Sequence, residues 1–197
     1  MVGRFIVFEG IDASGKSTQA RHLAQQCQGL FTFEPGDTAL GGELRRWLLD
    51  AATPMTPETE ALLMLADRSH HVATVIAPTL ASGRHVIADR FSASTLAYQG
   101  FGRGVDREKL RVATELAIGD CRPDLTLLID IDIETANERR ARNHEDRFES
   151  GDAAFHERLR QGYLAMAATE ERWCVIDGRG TFDDVSAAIT AAVAPLW

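Results

Sequence analysis

Gly10, Gly15, Lys16 and Ser17 occur at the spacing G-x-x-x-x-G-K-[ST], a pattern whose residue types dictate a chemistry. Glycines let a backbone loop close tightly around an anion, and a helix beginning at the second glycine points its unpaired N–H groups into the same cradle. A lysine at the next position reaches the terminal phosphates of a polyphosphate, and the hydroxyl after it is a magnesium ligand. The candidate triphosphate-binding set is therefore Gly10, Ile11, Asp12, Ala13, Ser14, Gly15, Lys16, Ser17 and Thr18. So short a pattern also arises by chance. Here an apolar run, Phe5 to Phe8, precedes it and helix-compatible residues follow, the context the mechanism needs. Lys109 is the one other lysine, so Lys16 does not reflect a lysine-rich background.

Asp12 lies inside this loop, where phosphates repel a carboxylate unless a metal ion or sugar hydroxyl intervenes. A turn-stabilising aspartate is the plainer alternative. Asp89-Arg90 follows an apolar run; an aspartate there holds magnesium through a water, and the arginine forks onto a phosphate. The alternative is a helix cap with a salt bridge. Arg139, Arg140, Arg142 and Arg147 cluster near a polar loop, Arg147 within DRFE. Arginine in a loop closing over a nucleotide stabilises a transferring phosphoryl group, whereas a solvated helix face is the bland reading. Arg68 interrupts an apolar stripe, where arginine ordinarily snorkels to solvent. His70 and His71 have no carboxylate or cysteine at ligand spacing and read as surface or core; Trp47, Trp173 and Trp197 read as packing.

The elements that must position these groups follow from periodicity and punctuation. Short apolar runs at Phe5–Phe8, Leu30–Phe33, His85–Ala88, Leu125–Ile131 and Cys174–Ile176 predict five strands. Helical patterns lie between them: Lys16 to about Gln28, Leu40–Asp50, Pro57 to about Leu80, Ser92–Gln99, Asp106 to about Ile118, Glu134–Arg142, Asp152 to about Arg172, and Phe182–Val193. Thr56-Pro57-Glu58 has the form of an N-cap followed by proline at the first helical position. GFGRG, from Gly100, reads as a flexible loop, and residues 143–151 as a short lid. Strands apolar on both faces, alternating with helices, predict an α/β fold: a three-layered, five-stranded parallel sheet with helices on both faces and a P-loop. Ligands of such sheets sit beyond the carboxyl ends of the strands, which singles out the Gly10 loop, Glu34 and Asp89-Arg90.

At 197 residues the chain suits one domain, 1–197, able to bury its own core. A net charge of −8 argues against a general nucleic-acid partner or an anionic membrane, so anionic ligands must be captured by local arginines. No apolar stretch approaches membrane-spanning length and no signal peptide is apparent. Cys27, Cys121 and Cys174 are odd in number and widely spaced, consistent with a reducing cytoplasm.

The stretches FEGIDASGKST, EPGDTALGGELRRWLLD, LLMLADR, DRFSASTLAYQGFGRGVD, RPDLTLLIDI and RRARNHEDRFE run in an order and spacing that resembles bacterial thymidylate kinases end to end. The resemblance implies transfer of the ATP γ-phosphate to dTMP, with Mg2+ as cofactor, in a homodimer. It implies that Asp12 meets the sugar or the metal near the acceptor phosphate. Arg45 and Arg90 would bind the dTMP phosphate, and Arg68 the thymine. Glu34, Ser94, Thr95 and Gln99 would line the base and sugar, and Tyr98 would crowd C2′ against ribonucleotides. Met64 stands where many relatives place phenylalanine on the base, and Phe33 where many have arginine. The P-loop has Ala13 where some relatives have arginine, so the resemblance implies that the lid arginine Arg147 supplies that charge, with one of Arg139 and Arg140, and of the two rather Arg140, against the adenine. Ser17 and Asp89 would hold the metal, and Lys16, Arg90, Arg147 and Asp12 would carry the chemistry.

Two rivals share these residues. Another P-loop kinase, acting on dUMP, dCMP or a deoxynucleoside, differs only in the base pocket. A GTPase-type switch would need an N-K-x-D motif, which the chain lacks, and would leave the acceptor arginines without a purpose.

Overall fold

The computed structural model describes residues 3–50, 52–143 and 153–197. Strands β1 (Phe5–Glu9), β2 (Leu30–Phe33), β3 (Val86–Asp89), β4 (Leu125–Asp130) and β5 (Trp173–Asp177) form one sheet in the order β2-β3-β1-β4-β5. All four pairings are parallel, as strands apolar on both faces require. Alternation along the strands divides the core into two faces. Ile6, Phe8, Ile87, Leu127 and Ile129 meet Ala20 and Leu23 of α1 (Lys16–Gln26) and Val185 and Ile189 of α9 (Phe182–Val193). Phe5, Val7, Val86 and Ala88 meet Val72, Ile76, Phe91 and Ile118 on the other side. The expected three-layered α/β architecture is what the chain forms.

Register places the site. Phe8 pairs with Asp89, and Asp89 pairs with Phe33, so β1, β3 and β2 end side by side. Gly10, Arg90 and Glu34 therefore leave the sheet at one rim. The Glu34 N–H donates to the Asp89 carbonyl at 3.1 Å and the Arg90 N–H to the Phe8 carbonyl at 2.9 Å, tying the three exits together.

Several local expectations need correction. The long helix begins as read, with the Thr56 side chain accepting from the Thr59 N–H and Pro57 in the first turn. It does not stay α-helical to Leu80. α3 (Pro57–His71) passes into a π-helical segment, Val72–Ile76, and then into α4 (Ala77–Ala81). Pro78 lacks an N–H and crowds the carbonyl four residues back, while Thr74 Oγ1 donates to the His70 carbonyl at 2.7 Å; both widen the turn. Ser92–Gln99 is likewise only one α-turn, α5 (Ser92–Thr95), followed by a π-helical segment, Leu96–Gly102. Gly100 and Gly102 are thus buried in helix rather than forming a flexible loop. A Cβ on Gly102 would stand 2.6 Å from the Phe155 ring of α8 (Ala153–Ala167), so this glycine permits close packing.

Asp89 caps nothing, because the residue preceding α5 is Phe91 and it makes no side-chain cap. α2 (Ala39–Leu49) buries Leu44 and Leu48 but leaves Trp47 51% exposed, so Trp47 is not core packing. α6 (Arg107–Ile118) is capped by Asp106, and α7 spans Ile133–Asn143. Among the described residues no helix is long and apolar enough to cross a membrane.

Candidate active site

β1 delivers the chain into the phosphate loop with no room for side chains at its start. Gly10 has φ 144°, and a Cβ on it would lie 2.6 Å from the Ile129 carbonyl oxygen. Gly15, at φ 90°, turns the chain into α1 without a side-chain cap, leaving the first N–H groups of that helix for a ligand. Ala13 adopts φ 64° without being glycine, a strained position costing about 1 kcal/mol. Lys16 is buried, its Nζ donating to the Ile11 carbonyl at 3.4 Å and lying 3.6 Å from Asp12 Oδ1. Burial and the Arg90 charge push its pKa down, with Asp12 opposing. Ser17 lines the open cleft beyond it, Thr18 faces solvent, and the buried Ser14 Oγ has no partner among the described residues.

Arg90 is the hub of the site. One guanidinium nitrogen donates to the Gly10 carbonyl at 3.2 Å, Ser94 Oγ at 3.1 Å and the Tyr163 hydroxyl at 3.2 Å. The other donates to Asp12 Oδ1 at 2.5 Å and the Tyr98 hydroxyl at 2.9 Å. Tyr98 in turn donates to Asp12 Oδ2 at 2.8 Å. Burial pushes the Asp12 carboxyl up, but Arg90 and Lys16 outweigh it and hold Asp12 well below the ordinary range. Asp12 therefore stays ionised throughout the neutral range. Glu9 backs this knot from inside. It accepts from the Phe91 and Ser94 N–H groups, Ser94 Oγ and the Tyr163 hydroxyl, while burial raises its pKa against the pull of Ser94 and Arg90.

The far end of the cleft is set by Glu34 and Arg68. Arg68 is 2% exposed and does not snorkel. Its Nε donates to Glu34 Oε2 at 2.7 Å, Nη1 to Thr95 Oγ1 at 2.8 Å and Nη2 to the Phe91 carbonyl at 2.8 Å. Gln99 donates to Glu60 at 2.7 Å, while its own carbonyl oxygen is buried without a partner among the described residues. Arg45 reaches the Pro35 carbonyl at 2.6 Å. Asp12, Ala13, Lys16, Ser17, Glu34, Arg45, Met64, Arg68, Asp89, Arg90, Ser94, Thr95, Tyr98 and Gln99 line one cleft of about 850 Å³, within the range of small-ligand sites. Gly10, Ile11 and Ser14 support it from behind.

Of the clustered arginines, Arg139 reaches the phosphate loop. It donates to the Ala13 and Ser14 carbonyls at 3.3 Å each and to the Gly178 carbonyl at 2.7 Å. Arg140 instead donates to Asn137 at 3.3 Å and lies 3.5 Å from His156 Nδ1. Arg147, the Arg142 side chain and the lid from residue 144 to 151 lie outside the described residues. Asp89 faces the cleft with Oδ1 buried and unpartnered among the described residues. No group of three His, Cys, Asp or Glu among them is placed to hold a metal alone.

Glu9, Asp67 and Tyr163 join the site without having been singled out in the sequence, and His71, which reads there as surface or core, is buried against Glu34. Glu9 carries a signal: it is a charge closing an otherwise apolar strand directly before the glycine loop. Tyr163 and His71 carry none, because their partners Arg90 and Glu34 are 73 and 37 residues away.

Residues 8–189 match the family model described as thymidylate kinase. Thymidylate kinase from Cupriavidus necator is 45% identical over the full length of both chains. That from Pelobacter propionicus is 44% identical, covering 98% of this chain and 94% of its own. The crystal structure of thymidylate kinase from Ehrlichia chaffeensis superposes with a TM-score of 0.82 at 32% identity, covering 98% of this chain and 99% of that one. With the phosphate loop, the Arg90 hub and the Arg68 pocket in one cleft, and with matches of this extent, the chain belongs to the thymidylate kinase family.

Proposed function

We propose that this protein transfers the γ-phosphoryl group of ATP to dTMP, giving dTDP and ADP. The observation that carries this reading is the Arg90 guanidinium, which bridges the phosphate loop at Gly10 and Asp12 to the Ser94–Tyr98 wall of the cleft. The donor triphosphate lies on the backbone N–H groups of 10–18 with Lys16 at its end, and dTMP fills the cleft toward Arg68. Arg90 and Arg45 receive the acceptor phosphate. That phosphate is already ionised at neutral pH, so it attacks Pγ in line without a strong base as the Pγ–O bond to ADP breaks. Asp12 is held as a carboxylate and accepts from the sugar 3′-hydroxyl. Arg147 adds the positive charge that Ala13 does not supply, and Arg140 lies on the adenine side.

Ser17 and Asp89 would hold Mg2+. The fit is good, because Asp89, with an unpartnered oxygen, and Ser17 line one cleft and offer a sparse oxygen set that would suit an ion carried mostly by nucleotide phosphates and water. When bound, the ion neutralises charge on the β- and γ-phosphates. Leu62 on α3 and Val112 and Leu116 on α6 stay exposed, which supports a homodimer. We place the enzyme in the cytoplasm, its three cysteines being free. The test is a coupled ADP-release assay with ATP and magnesium across dTMP, dUMP, dCMP and AMP. Preference for dTMP is expected; equal rates with dCMP and AMP would overturn the assignment.

A further inference from the structure

A buried polar chain runs from β2 through α3 to the base end of the cleft, and its central member touches neither nucleotide site directly. His71 is 1% exposed. Its Nε2 lies 2.6 Å from the Thr32 hydroxyl and its Nδ1 2.9 Å from Glu34 Oε1. The Thr32 hydroxyl has one proton, and it is directed at Asp37 Oδ2, 2.5 Å away. Toward His71 that hydroxyl only accepts, so Nε2 carries a proton. Glu34 accepts Arg68 Nε–H on its other oxygen at 2.7 Å, and as a carboxylate it has nothing to donate, so Nδ1 carries a proton too.

Charge bookkeeping agrees. With His71 doubly protonated, the buried Glu34 carboxylate is met by a cation on each oxygen, and the half-buried Asp37 and the buried Asp67 add negative charge nearby that favours the imidazolium. Among the described residues, Glu34 and Asp37 bond no cation besides Arg68 and His71. Asp67 is pushed up to about 6 by burial and Glu34, the Cys121 thiol is pushed up to about 11 by burial and Glu34, and Arg45 turns away to the Pro35 carbonyl.

The consequence falls on Arg68. Three of its five N–H groups are committed to Glu34, Thr95 and Phe91, which leaves two for the cleft. Where those two point depends on how Glu34 is held, and His71 holds the other oxygen of Glu34. We infer that His71 is a positioning residue: an imidazolium cross-link from Thr32 to Glu34 that sets, through Glu34, the direction in which Arg68 faces the base of the bound monophosphate. The second half of this rests on the proposed dTMP site; the protonation state stands apart from it.

Two measurements on the full chain decide it. In the long-range 1H–15N spectrum at pH 7, the imidazole that disappears in His71→Asn should show both nitrogens protonated; a bare ring nitrogen overturns the cross-link. In steady-state assays, His71→Phe should raise KM for dTMP by about tenfold or more, with kcat and KM for ATP changed less than about threefold. His71→Asn, whose amide retains an N–H toward Glu34 and which keeps the site polar, should recover part of that loss. Equal rises in both KM values, or a fall in kcat alone, would overturn the positioning role. Failure to phosphorylate dTMP would instead remove the proposed function, while the imidazole spectrum would still decide the cross-link.

Discussion

The Tyr98 hydroxyl sits between opposite charges, donating to Asp12 at 2.8 Å and accepting from Arg90 at 2.9 Å. Burial, helped by the Asp12 charge and opposed by Arg90, raises its pKa, so it remains a hydroxyl at any working pH. Tyr98→Phe removes that bridge but keeps the ring, over which the Arg90 guanidinium lies at 5.0 Å. A buried donor and acceptor left short cost about 1–3 kcal/mol. We expect kcat/KM for dTMP to fall about tenfold while rejection of the ribonucleotide, a matter of ring bulk, persists. Loss of that rejection would assign it to the hydroxyl. Asp67 gives a second test at this scale. Both its oxygens are buried without partners among the described residues, and burial followed by Glu34 pushes its pKa from 3.8 up to about 6. The native state thus binds the proton more tightly than the unfolded chain does, so this group's stabilisation is fullest at acid pH and declines as pH rises through about 4 to 6. Asp67→Asn should gain about 2 kcal/mol more, relative to the unsubstituted chain, at pH 7.5 than at pH 4.5 in urea unfolding. An equal effect at both pH values would mean that the carboxyl titrates alike in both states.

At the scale of elements, the Leu96–Gly102 segment carries Tyr98 and Gln99 and is held against α8 through Gly102. A methyl group there would meet Phe155 at 2.6 Å and Leu159 at 2.9 Å. Gly102→Ala should cost about 1–3 kcal/mol by overpacking and displace Tyr98, lowering both the unfolding midpoint and the dTMP affinity. Unchanged values in both would show that α8 yields freely. This segment also marks the limit of what the sequence discloses. Strand–loop–helix at Gly10 was legible because glycine spacing, an apolar strand and a lysine are all local signals. The rim formed by Gly10, Glu34 and Arg90 followed from strand ends alone, since parallel register aligns them. GFGRG misled because a glycine needed for helix-to-helix approach is, in sequence, indistinguishable from one needed for flexibility. Tyr163 is silent in the sequence and His71 reads only as surface or core, because their partners arrive from distant strands and helices and no spacing rule links them.

For the whole molecule, the cleft is walled by the phosphate loop and the ends of β2 and β3 together with α1, α2, α3, α5 and the segment after it, so a ligand there bears on helices from both faces of the sheet. β1 and β3 feed the apolar clusters on both faces, and β4 sends Leu127 and Ile129 into one of them and Leu128 into a third, so neither half has a core of its own. Such a chain should unfold as one cooperative unit. Its tryptophans report from separate places: Trp173 on the edge strand β5, Trp197 against His85 at 4.5 Å, and Trp47 exposed on α2. Tryptophan fluorescence and far-UV circular dichroism should therefore share one urea midpoint. Saturating dTMP, at about a hundred times its Kd, should move that midpoint upward by about 2.7 kcal/mol of stability in both probes alike. Two separated transitions, or a ligand shift seen by one probe only, would show that the cleft draws its walls from parts that unfold independently.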